Sequence, residues 1–66
     1  MPGRESWPGL VGMPADEAVV VIQRQKPYLE VIPVPEGSRI AMDFRQDRVR
    51  VFFDDDYLVS SVPRVG

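Results

Sequence analysis

Apolar and polar positions alternate most cleanly over residues 47–53, DRVRVFF. A strand there sends Val49, Val51 and Phe53 to one face and Arg48, Arg50 and Phe52 to the other. Residues 28–34, YLEVIPV, alternate more loosely but are rich in β-formers, and they predict a second strand. Pro33 lacks an N–H for a ladder, so it belongs at that strand's end or on an unpaired side. Within residues 13–27, MPADEAVVVIQRQKP, the run Val19–Ile22 alone resembles a buried strand, but its frame is helical. Pro14 suits a first helical position. Asp16 and Glu17 sit at the positive end of the helix dipole, with Arg24 and Lys26 at the other end. Pro27 stops the helix. Ala18, Val21 and Ile22 then share one face, and Val19 and Val20 lean toward solvent, a poor setting for β-branched side chains. Trp7 reads as a core anchor, since an indole buries the most area per residue. Gly9 and Gly12 bracket a turn leading into the helix, residues 1–6 read as a flexible arm, and residues 57–66 as a short strand and tail.

The order is helix, strand, long segment, strand, short strand. It predicts one α+β domain over residues 1–66. A single helix packs on a small mixed sheet, parallel plus antiparallel, with a long exposed loop over residues 35–47. A long loop in so small a domain tends to be functional or disordered. In this one Ile40, Met42 and Phe44 alternate, as in an extended chain that shows every second side chain to one side. An exposed extended segment with apolar side chains is what a protease cleft binds, which points to an inhibitor or a peptide ligand.

Composition narrows the classes. Sixty-six residues lie near the lower size limit for independent folding. With no cysteine, the chain has no disulfide staple and no thiolate nucleophile. With no histidine, it lacks the commonest general base and the commonest metal ligand. No residue set carries catalysis, and no cofactor or metal is expected. The net charge of −2 and pI near 4.9 argue against a nucleic-acid partner through Arg45, Arg48 and Arg50. No run approaches the ~20 apolar residues of a membrane span, and MPGRESWPGL has no apolar stretch of the signal-peptide kind. Asp54-Asp55-Asp56 lacks the spaced ligands and glycine of a calcium loop and reads as a solvated turn. A monomer is expected. From the residues alone, Arg48 and Arg50 read as a solvated strand face.

Several short matches in fixed order change that reading. They are Ser6-Trp7-Pro8 with Leu10-Val11-Gly12, Pro35-Glu36-Gly37-Ser38, Asp47-Arg48-Val49-Arg50-Val51-Phe52, and Val62-Pro63-Arg64-Val65-Gly66. Together they span residues 6–66, and the chain resembles the potato type I family of serine protease inhibitors (the eglin c and chymotrypsin inhibitor 2 type). The resemblance implies a loop that binds serine proteases as a substrate would, with Met42–Asp43 as the scissile bond and Met42 in the primary specificity pocket. Met is flexible and apolar. It suits subtilisin-like and chymotrypsin-like pockets, with elastase-like enzymes a further class, and not a carboxylate-based pocket. Ser38, Arg39, Ile40, Ala41, Phe44 and Arg45 complete the implied binding loop. Arg48 and Arg50 are implied to reach under it, with Asp43 as their carboxylate and Gly66 near the same cluster. The family setting also implies plant defence, a response to wounding, and an extracellular or vacuolar location.

The chain departs from the family pattern at two loop positions. Ala41 stands where Thr is usual and offers no hydroxyl acceptor, which removes one contact of about 0.5–1.5 kcal/mol. Arg39 stands where an apolar residue or Pro is common. The alternative function is therefore a non-inhibitory binding module, or a protease substrate, on the same fold.

Overall fold

The structure, a computed structural model, describes residues 5–66. Helix α1 runs Ala15–Gln25. Its acidic residues Asp16 and Glu17 lie in the first turn and Arg24 in the last, as the dipole favours. Pro14 is the N-cap and not the first helical residue: its ψ of 137° is non-helical, and its carbonyl accepts from Ala18 N at 3.0 Å. Ala15, Ala18 and Ile22 are fully buried, so two small residues let the helix lie close to the sheet. Val20 is exposed, as expected, but Val19 is half-buried and joins Val21 against the core.

The sheet has three strands in the order β1 (Glu30–Pro35), β2 (Arg48–Phe53), β3 (Arg64–Val65). β1 and β2 are parallel, with Val31 opposite Val49 and Pro33 opposite Val51. β1 is an edge strand, where a residue without an N–H is tolerated. β2 and β3 are antiparallel. One helix on a small mixed sheet is thus the architecture, as the element order predicts. Val49 and Val51 are fully buried and meet Ile22, Val59 and Trp7, whose indole Nε1 donates to Gln25 Oε1 at 2.8 Å.

Three boundaries differ from expectation. Pro35 ends β1, so the connection to β2 is 36–47. The closing segment has only the two paired residues of β3 plus bridges that join Leu58 to Pro14 and Val59 to Phe53. Of the arm expected over residues 1–6, residues 1–4 lie outside the described residues, while Glu5 and Ser6 are tied down. Ser6 bridges Arg64, Glu5 O accepts from Val65 N at 3.1 Å, and the Glu5 carboxylate pairs with Lys26 at 3.2 Å. The acidic turn satisfies its own backbone: Asp54 Oδ1 accepts from Asp56 N at 2.9 Å and Leu58 N at 3.1 Å.

Candidate functional site

Parallel strands cannot be joined by a tight turn, because the chain must return to the end at which it began. Here the return is the loop itself. It leaves β1 through a turn in which Ser38 N donates to Pro35 O at 3.2 Å. Gly37 takes φ 81°, the left-handed conformation that such a turn requires at its third position. Ser38, Arg39, Ile40 and Ala41 then form a leading limb with no regular structure, all exposed. Met42 stands at the crest with 98% of its surface free. Asp43, Phe44 and Arg45 descend toward β2.

Two arginines on one face of β2 meet this crest from below. Arg48 is 7% exposed. Its Nη2 donates to Asp43 Oδ1 at 3.0 Å and to the Asp43 carbonyl at 3.3 Å; Nη1 reaches Oδ2 at 3.4 Å. Its Nε donates to the Gly66 carbonyl at 2.9 Å, and Gly66 N donates back to Arg48 O at 2.8 Å. Arg50 Nη2 donates to the Ala41 carbonyl and to Asp43 Oδ1, both at 3.2 Å. The carbonyls on either side of Met42 are thus each held by a guanidinium, and one carboxylate joins the two guanidiniums. Ala41 has no hydroxyl to offer, and its backbone oxygen serves Arg50 instead. These bonds hold the Asp43 carboxyl below the usual 3.8, chiefly through Arg48 and with a smaller contribution from Arg50.

A second clamp lies on the descending limb. Arg45 grips Asp47 with two parallel bonds of 3.0 Å and pairs with Glu30 of β1 at 3.3 Å. Hydrogen bonding to Arg45 lowers the Asp47 carboxyl, and the Arg45 guanidinium is raised in turn. Asp47 and Glu30 are members of the site that pattern reading missed. The Arg-x-Asp spacing at 45–47 was a visible signal for the first, but nothing local announces Glu30, which only the parallel register brings alongside. Phe44 lies beside Gly66, over a cleft of about 330 Å³ that Phe52, Val62 and Val65 also line. The loop therefore stands off the sheet and is held mainly by charge-assisted hydrogen bonds, which are about twice as strong as neutral ones.

A family model, the potato inhibitor I family, matches residues 2–66. The chain belongs to the potato inhibitor I family. It is 42% identical over 65 residues to the inhibitor of trypsin and Hageman factor of Cucurbita maxima, covering 98% of this chain and 96% of that one. It is 41% identical over 64 residues to the trypsin/subtilisin inhibitor of Amaranthus caudatus, covering 97% and 93%. The crystal structure of the bitter gourd trypsin inhibitor superposes with a TM-score of 0.91 at 38% identity, covering 98% of this chain and 96% of that one. These relatives are inhibitors and not enzymes.

Proposed function

We propose that this chain is a reversible, tight-binding inhibitor of serine endopeptidases, with Met42–Asp43 as the bond presented to the enzyme. The observation that carries the reading is the treatment of the crest. The Met42 side chain is free, while the carbonyls before and after it and the Asp43 carboxylate are all held from β2. An extended segment with one free apolar side chain enters a protease cleft as a substrate does. Its pre-ordering removes part of the entropy cost of binding.

The same geometry supports inhibition over digestion. The enzyme's serine oxygen attacks the Met42 carbonyl carbon, and the bond to Asp43 N breaks to leave an acyl-enzyme and a free amine. For hydrolysis to proceed, that amine must leave and water must enter. Arg48, bonded to the Asp43 carbonyl and carboxylate, holds the amine-bearing residue in place. The amine stays near the acyl carbon at high effective concentration, so it re-forms the peptide and expels the serine. Met42, flexible and apolar, fits the pockets of subtilisin-like and chymotrypsin-like enzymes, and elastase-like ones in third place.

Steady-state inhibition of subtilisin and chymotrypsin tests this, with Met42→Lys assayed alongside against trypsin. Nanomolar inhibition by the natural sequence, moving toward trypsin in the variant, is the expected result. Rapid cleavage at Met42–Asp43 without inhibition would make the loop a substrate on an inhibitor fold.

A further inference from the structure

Of the four arginines on or under the loop, three are committed to carboxylates: Arg45 to Asp47 and Glu30, Arg48 and Arg50 to Asp43. Among the described residues, Arg39 has no ion-pair or hydrogen-bond partner, and it is exposed on the leading limb. It precedes Met42 by three residues, about 10 Å in an extended chain. A partner that grips Met42 must therefore also cover Arg39, since a standard interface takes in roughly 20–30 residues a side. Against an apolar wall, this guanidinium would lose its water and gain nothing. Against a carboxylate, it forms a planar paired contact that a lysine would not reproduce. The acidic turn Asp54–Asp56 follows β2 at the end of the sheet where this limb begins, so a broadly acidic partner is repelled there. A localised carboxylate opposite Arg39 is the complementary arrangement.

We propose that Arg39 directs this inhibitor to serine endopeptidases with a carboxylate in the wall of the subsite that receives residue 39. The proposal rests on Met42–Asp43 being the presented bond. It turns a residue that weakens binding to an apolar subsite into a selector for a different set of targets. The effect belongs to complementarity across the interface, which governs partner choice and encounter rate more than bulk affinity.

The test is a four-way comparison of inhibition constants. Wild type and Arg39→Leu are measured against subtilisin and against a subtilisin with one Asp introduced in that subsite wall. Arg39→Leu is expected to bind the parent enzyme more tightly. Wild type is expected to bind the Asp-bearing enzyme about tenfold more tightly than Arg39→Leu does. That preference should shrink severalfold at 1 M salt, where screening acts within about 3 Å. An equal gain for Arg39→Leu against both enzymes would overturn this proposal alone. Absence of inhibition by either form against either enzyme would overturn the proposed function and this inference with it.

Discussion

Asp43 is the residue on which the loop's polar contacts converge, and its ionisation sets their acid limit. Arg48 and Arg50 lower its carboxyl in the folded chain below the usual 3.8. A carboxylate lowered on folding contributes stability that is fully present above its unfolded pKa. That contribution is lost as pH falls through the lower, folded value. The clamp is therefore complete at neutral and mildly acidic pH and loosens only below about 3.8. NMR titration of the Asp43 carboxyl should give a midpoint under 3.8, and Arg48→Met should move it back up toward that value. A midpoint that Arg48→Met leaves unchanged would refute the assignment of cause. At Ala41 the missing hydroxyl leaves Arg50 with a backbone oxygen alone on that limb. Ala41→Thr adds an acceptor worth about 1 kcal/mol. The expected consequence is about fivefold slower cleavage at Met42–Asp43 during long incubation with subtilisin, followed by mass spectrometry.

At the scale of elements, α1, β1 and β2 were all legible, because each carries its own period or frame. Arg48 and Arg50 were placed on one face by the period of β2 alone, and their grip on the loop followed from the resemblance. Contacts between elements were less visible. The Arg45–Glu30 pair depends on the parallel register, and the tie between Glu5, Ser6 and β3 joins residues almost sixty positions apart. Val19 was misplaced because a helix in so thin a domain packs a broader face than the narrow stripe assumed. Pro14 is a cap because its carbonyl opens the helix while its backbone stays extended to bridge Leu58. Val20 remains a poor local choice, 46% exposed and β-branched in a helix. Val20→Ala should raise stability by roughly 0.5 kcal/mol, read as a higher midpoint in denaturant, with inhibition unaltered. Destabilisation would mean that Val20 packs where the structure leaves it open.

For the whole molecule, one strand does two jobs on its two faces. Val49 and Val51 bury into the core under α1, while Arg48 and Arg50, interleaved with them, hold the loop. Folding the core therefore aims the clamp, and no disulfide is needed to do it. The two faces should nevertheless separate on mutation. Ile22→Ala empties a fully buried site on the helix side, which costs about 2–5 kcal/mol. Such a variant should melt earlier yet keep the inhibition constant of the wild type, measured well below its Tm, because nothing at the crest has moved. Arg48→Met keeps most of the stem's volume but removes the bonds to Asp43 and Gly66. The bonds to Asp43 are charge-assisted, and much of what they contribute is held in the loop's geometry and not in the core. Its Tm should fall less than that of Ile22→Ala, while cleavage at Met42–Asp43 accelerates by an order of magnitude or more. Calorimetry and timed digestion on the same two proteins decide it. If lifetime against the protease simply tracks Tm across both variants, the loop is stabilised by the fold as a whole, and the arginine clamp has no separate role.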